Sequence, residues 1–443
     1  MPEREARSPV PASFFAMSAL PVTDVPKVHV GALGHPGFAW STIEQSRGVF
    51  DFRVFDDYVA TAQGLQLVDA ETNTVSISIT LGLTPPWALS DQSSCSTPAS
   101  VAQCTQPPDN IQDWKDFLTA LIQHYNGVTQ PHIRYYELWN EFDATNYWTG
   151  TFAQMVALAQ AAYPIIHQDP CSILLTPSVA GPVGTVDTTS AVSWITPYLR
   201  AGGAQYADGG AFHGYLALNA AEASHQVVPY PMPEQDSTSG CTPFVTCFGA
   251  IVTKAIQMRE VFDQNGLAGK PMFQTEGSWG EQELVGETPT QVAWIARYYL
   301  LQAGLHEMLN LQMAAWFSWG ASEIWGTIET SAGQPTAAAV AYSQVFDWVV
   351  GATIAQPCSG TANGTWTCWL TRHDGYIAQA VWNTQGTIPF TPGTEYGQYH
   401  DLAGNTYPIA PGAAVNIGAQ PILIERQRLR VSLGEGRSAE SVH

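Results

Sequence analysis

The sequence predicts an α/β fold: a (β/α)8 TIM barrel followed by a small C-terminal antiparallel β-domain, sandwich-like in its patterning. Three observations predict it. Eight short β-rich runs alternate with longer helical patterns between residues 13 and 319, as parallel strands joined by helices do. No Gly-rich turn follows the first run, where an open doubly wound sheet would carry one. From about Phe346 the texture changes to apolar–polar alternation broken by turn residues, the mark of antiparallel strands.

The strand runs, in order, are SFFAMSA (13–19), VHVGAL (28–33), VSISITL (75–81), IRYYELW (133–139), SILLTP (172–177), GGAFHGY (209–215), PMFQTE (271–276) and AAWFSW (314–319). Helical periodicity covers residues 52–63, 111–125, 151–166 and 289–305. The crossover from Leu20 to Lys27 is too short for a full helix, the weak point in the count. The expected division is a (β/α)8 barrel over 12–345, a β-domain over 346–426 and flexible termini at 1–11 and 427–443.

With 443 residues the chain suits one large domain and a smaller one. Charged residues make up only 12% of it, and the formal net charge is −21. That acidic field argues against nucleic acid as a partner. No apolar run is long enough to span a bilayer, so no membrane insertion is expected. Oligomeric state leaves no trace in the sequence.

Six of the seven cysteines form local couples in Ser-, Thr-, Pro- or Gly-rich stretches: Cys95 with Cys104, Cys241 with Cys247, and Cys358 with Cys368. Short loops of this kind are what disulfides staple, and they predict an oxidising, secreted or periplasmic setting. The opening MPEREARSPV lacks a signal peptide's basic start and apolar centre, so the expected export relies on a signal already removed or on another route. Cys171 is left over. Neither Cys-x-x-Cys nor His-x-x-x-His spacing occurs, and neither a metal nor another cofactor is expected.

Functional groups in such a barrel sit where strands end. Strand two ends in GALGHPGFAW, with His35 and Trp40; strand three in LTPPWALSD, with Trp87. Strand four ends in Asn140-Glu141, and strand six offers His213 and Tyr215. Strand seven ends in Thr275-Glu276, with Trp279 just beyond, and strand eight carries Trp319. Two carboxylates ringed by aromatic residues suit sugar chemistry: aromatic faces stack on sugar rings, and a carboxyl pair is the minimum for cleaving a glycosidic bond. Parity places Tyr135, Glu137, Trp139 and Glu141 on one face, and Gln274 and Glu276 on one face. Strict alternation would turn Asn140 away from Glu141; a bulge at the strand end would let both aim at a ligand. Plainer explanations exist for each residue. A Glu at a strand end is usually a solvated end, Glu137 reads as a buried carboxylate held by hydrogen bonds, and each Trp could be packing.

FAWSTIEQSRGVFDF (38–52), TLGLTPPWA (80–88), YYELWNE (135–141) and AFHGY (211–215) together resemble glycoside hydrolase family 39 of the clan A retaining enzymes. That family includes β-xylosidases and α-L-iduronidases. The resemblance spans most of residues 13–325. It implies Glu141 as acid/base, Glu276 as nucleophile, Asn140 on a sugar 2-hydroxyl, and His213 and Tyr215 lining the site. His35, Trp40, Trp87, Trp279 and Trp319 are the further candidate substrate contacts. There are two departures. Phe142 stands where many relatives have Pro, and Ala32-Leu33-Gly34-His35 carries no Arg near the nucleophile, leaving open whether His35 takes its place. The expected activity is retaining hydrolysis of a plant or microbial oligo- or polysaccharide. A non-catalytic carbohydrate-binding protein on this scaffold, and a transglycosylase using the same residues, are the alternatives.

Overall fold

The computed structural model describes residues 8–19, 24–96, 101–180, 191–215, 232–234, 251–279, 288–320 and 328–426. Eight strands form: β1 (Phe15–Ala19), β2 (Ala32–Phe38), β3 (Thr74–Thr80), β4 (His132–Glu137), β5 (Ile173–Leu175), β6 (Gly210–His213), β7 (Met272–Glu276) and β8 (Leu311–Trp319); seven coincide with predicted runs, while the second starts only at Ala32 and runs on through the residues expected to follow it. They pair in parallel in the order β5-β4-β3-β2-β1-β8-β7-β6. A parallel bridge between Leu175 and Gly209 brings the first and last members together, closing the barrel.

Alternation along each strand builds two layers. Inside, Ala16, Ala32, Tyr135, Leu175, Ala211, Phe273, Met313 and Ala315 fill the barrel. The alanines leave room for the Tyr135 and Phe273 rings, whose centroids lie 5.5 Å apart. Outward-facing Phe15, Met17, Leu33, Ile77, Ile79, Tyr136, Phe212 and Trp316 pack in the large core that includes the helices.

Those helices are α1 (Ala39–Ile43), α2 (Arg53–Gly64), α3 (Ile111–His124), α4 (Phe152–Ile166), α5 (Ala191–Arg200), α6 (Ile251–Phe262), α7 (Pro289–Ala303), α8 (His306–Leu309) and α9 (Ala337–Val349). Side-chain caps start several of them. Asn110 caps α3, Thr151 and Gln154 form a capping box on α4, and Thr288 and Thr336 cap α7 and α9. No helix occurs in the described part of the first crossover. There His29 bonds Ser343 and Asp347 of α9, whose Tyr342 and Phe346 pack on Phe15. Phe346 thus belongs to a helix against the barrel, and β structure resumes only at Ser359.

The β-domain comprises β9 (Ser359–Gly360), β10 (Thr365–Thr371), β11 (Ile377–Asn383), β12 (Ile388–Phe390), β13 (Tyr396–His400), β14 (Thr406–Pro408), β15 (Val415–Ile417) and β16 (Ile422–Arg426). Six strands form one antiparallel sheet, β9-β10-β11-β16-β13-β14, and β12 pairs with β15. Leu370, Ala378, Ala380, Trp382 and Leu423 join the barrel's outer core, while Val381, Ile422 and Ile424 form a second core with Tyr396 and Ile417. This period-two split is what the sequence texture predicts. Buried Arg297 of α7 ties the domains through the Ala419 carbonyl at 2.8 Å. Disulfides join Cys95 to Cys104 and Cys358 to Cys368; Cys171 is free. The expected Cys241–Cys247 bridge lies outside the described residues. Among the described residues no helix is long and apolar enough to cross a membrane.

Candidate active site

At the mouth, β4 stops at Glu137 and the chain turns rather than continuing the pleat. Glu141 adopts φ +33°, a left-handed conformation costly for a residue with a Cβ. Its backbone N–H bonds the Ser178 hydroxyl at 3.0 Å, which holds this turn against the end of β5. Trp139 is buried outside the barrel, its indole N–H on the Tyr147 carbonyl. A side chain at Gly82 would collide with that ring, its Cβ falling 2.1 Å from it, so the strand-three end must carry glycine there. Strict strand parity therefore does not aim Glu141; a turn does. Asn140 is buried beside it, and its amide oxygen has no hydrogen-bond partner among the described residues.

The parity expected on β7 also changes. Phe273 belongs to the barrel interior, and Gln274 bonds the Glu276 and Ala315 carbonyls. A register shift between Gln274 and Glu276 against β6 interrupts the alternation at the strand end. This bulge re-aims Glu276 toward the mouth.

His213 joins the two carboxylates. Its Nδ1 lies 2.7 Å from Glu141 Oε1 and 3.3 Å from Glu276 Oε2. The nearest oxygens of the two carboxylates lie within 4.8 Å of each other. The Tyr215 hydroxyl donates to Glu276 Oε1 at 2.6 Å. Below them, the Ser178 hydroxyl donates to Glu137 Oε1 at 2.8 Å.

Electrostatics follow from this crowding. Burial opposes a charge on His213, yet Glu276, Glu141 and Glu137 outweigh it and push its pKa up to about 9. Burial would raise the Glu141 carboxyl, but the His213 hydrogen bond and charge hold it below its usual range. The proton at this pair therefore resides on the imidazole, and the pair titrates as a unit. Burial pushes Glu137 up to about 7. His35 has φ +50°, and its Nδ1 lies 3.3 Å from the Thr80 hydroxyl. Burial lowers its pKa, so it stands neutral and does not supply the missing arginine's charge. His213 supplies a positive charge there instead.

The structure thus brings together Glu141, Glu276, His213, Tyr215 and His35, with Asn140 buried in the turn just before Glu141. It takes Trp40 and Trp87 elsewhere. Trp40 packs on Trp114 and Phe117 of α3 and bonds Glu44. Trp87 meets Trp40 edge-on, donates to the Glu44 carbonyl and carries the Arg47 guanidinium over its ring. Trp40 is carried away from the mouth on α1, and a short turn after β3 lays Trp87 against it. Trp279 is buried near Tyr298 of α7, and Trp319 is buried with its indole N–H 3.3 Å from Asp24.

Three aromatic residues not singled out from sequence lie at the mouth. Phe38 and Phe317 flank His35, at 5.4 and 6.3 Å between ring centroids. Tyr147 contacts Phe38 at 5.9 Å, and its pKa is raised by burial and by the charges of Glu141 and Glu276. Phe317 was open to discovery, since it continues the inward row Met313, Ala315 on β8. Tyr147 lies in a loop without periodic signal.

The closed parallel barrel followed by an antiparallel β-domain is a fold shared with several solved glycoside hydrolases. A family 39 glycoside hydrolase from Bacteroides cellulosilyticus WH2 superposes with a TM-score of 0.66 at 15% identity, over 94% of this chain and 81% of that one. A monomeric β-xylosidase from Caulobacter crescentus CB15 gives 0.63 at 13% identity, over 97% and 98%. A family 44 xyloglucanase from Paenibacillus polymyxa gives 0.58 at 12%, over 95% and 98%. At such identities the likeness is one of fold. No protein-family model matches the chain, and no curated protein does.

Proposed function

We propose that the protein is a retaining glycoside hydrolase in which Glu276 is the nucleophile and Glu141 the acid/base. The observation that carries this reading is that one imidazole nitrogen, His213 Nδ1, reaches both carboxylates, at 2.7 and 3.3 Å, so the two face each other closely across the mouth. Retaining enzymes need their carboxyl groups about 5–5.5 Å apart, whereas inverting ones need roughly 6.5–9.5 Å to admit a water.

Glu276 attacks the anomeric carbon while the bond to the leaving oxygen breaks. That oxygen takes a proton from Glu141, which draws it from His213 across their 2.7 Å contact, leaving Glu141 ionised and His213 neutral. Water then attacks the glycosyl ester, and Glu141 accepts its proton, releasing Glu276. Tyr215 holds Oε1 of Glu276, and Oε2, 3.3 Å from His213 Nδ1, is the oxygen that attacks. The unpartnered amide oxygen of Asn140 suits a substrate hydroxyl. Phe38, Tyr147 and Phe317 offer faces for a sugar ring. The substrate class is a plant or microbial oligo- or polysaccharide, a reading supported by the xylosidase and xyloglucanase among the similar folds.

The test is azide rescue on aryl glycosides. Glu276→Ala should lose turnover and, with azide, yield a glycosyl azide of inverted configuration. Glu141→Ala should slow substrates with poor leaving groups most and yield a retained azide. A wild type inactive on every aryl glycoside and polysaccharide tried would leave a non-catalytic binding protein. The same leaving-group dependence in both mutants would overturn the roles.

A further inference from the structure

Lys254, on α6, is one of only four lysines in the chain and is 4% exposed. Its ammonium donates to the Tyr215 carbonyl at 2.7 Å and to the Ala180 carbonyl at 3.0 Å. The Ala180 N–H in turn bonds Asp143 at 3.2 Å. One side chain therefore ties the residue that holds Glu276 to the segment after β5, and that segment to the loop bearing Glu141. Burying an ammonium costs several kcal/mol unless charge and hydrogen bonds compensate. Burial lowers this one to about 8, and the charges of Asp143 and Glu141 work against that. A methionine would fill the same volume with no charge to desolvate, but it would leave both carbonyls without this donor and Glu141 without this charge.

We propose that Lys254 is a positioning residue of the active centre, which fixes the backbone behind Tyr215 and Ala180 and sets a positive charge behind Glu141. This inference rests on the glycosidase roles assigned above. The charge acts in concert with others: Glu141 and Asp143 face Lys254 from the loop after β4, and Glu141 also faces His213 and His35. Lys254 favours the ionised form of Glu141. Removing its charge should therefore let Glu141 keep its proton to higher pH.

The experiment compares kcat, KM and the pH profile of kcat/KM for wild type, Lys254→Met, Lys254→Gln and Lys254→Arg on one aryl glycoside. Lys254→Met should lose kcat about tenfold to a hundredfold with little change in KM, as a small misplacement of reacting groups does. Its basic limb should move up by about half a pH unit or more, because a nearby positive charge is gone. Lys254→Gln can still donate to the carbonyls, so it should recover part of kcat while keeping the shifted limb. Lys254→Arg should return the limb to its wild-type position. A merely structural lysine would lower melting temperature without moving the limb. Unshifted limbs in folded Met or Gln variants overturn the inference. If neither neutral variant folds, a shifted limb in Lys254→Arg overturns it. A wild type without any turnover removes the glycosidase reading and this inference together, whereas an active wild type with unshifted limbs in the variants removes only the inference.

Discussion

The two ends of β4 hold the same kinds of side chain in opposite states. At its start, His132 meets Asp169 at 2.8 Å. The carboxylate also accepts from the Ser172 hydroxyl and the Cys171 N–H. One imidazole faces one acid, and the acid's lone pairs are well supplied. Beyond its other end, one imidazole is shared by Glu141 and Glu276, with Glu137 buried below. There the backbone takes positive φ at Glu141 and His35, and a buried amide oxygen is unpartnered. Histidine–carboxylate contact is therefore no mark of function in this molecule. Excess acid around one imidazole is the mark, since the closed end also has positive φ, at Asn73, and a buried hydroxyl, on Tyr136, unpartnered among the described residues.

Substitution at the two histidines should break the symmetry most. His213→Ala should lower kcat/KM by about 10²–10³, the loss expected when a preorganised charge at a reacting centre is removed. His132→Gln should leave kcat/KM of the folded protein unchanged. Near-wild-type turnover in the His213 variant would erase the distinction between the ends.

Glu137 offers a pH test of the same contrast. Its folded pKa is raised to about 7, so the native state keeps a proton that the unfolded chain releases. Its contribution to stability is full below its unfolded pKa and is lost as pH rises through about 7. Glu137→Gln cannot ionise and escapes that loss. Denaturant melts at pH 4.5 and 8 should show the variant gaining on wild type with rising pH, by up to about 3 kcal/mol. A pH-independent difference would mean that Glu137 is not held protonated.

The smallest effect is expected at the closed end. His132→Gln should cost about 1–2 kcal/mol, the worth of a hydrogen bond to a charged group with part of its desolvation penalty. A loss well above that, read from urea melts, would show the bottom of the barrel to be as finely balanced as the mouth.

Much of this architecture was legible in the sequence. Strand and helix periods are local, so eight β runs, four helical stretches and the switch to period two beyond the barrel could be counted directly. The short first crossover was visible too, though not that α9 would cover it. Glu141, Glu276, Asn140, His213 and Tyr215 could be named as candidates because the ends of barrel strands converge whatever the loops do. The Cys95 and Cys358 couples were legible because short loops bring their ends together without help from the rest of the fold.

What the sequence determined by itself was this periodic frame and the list of polar residues at its rim. Orientation was decided only by tertiary structure. Glu276 aims inward through a bulge in the β6–β7 pairing, and Glu141 through a left-handed turn held by Ser178. Trp40 became core while Phe317 reached the mouth beside His35. Lys254 gained its importance from carbonyls 39 and 74 residues away in the chain. Each of these outcomes depends on contacts between segments distant in sequence. A period of 2 or 3.6 fixes which residues share a face, but only packing against another strand or helix decides what that face sees.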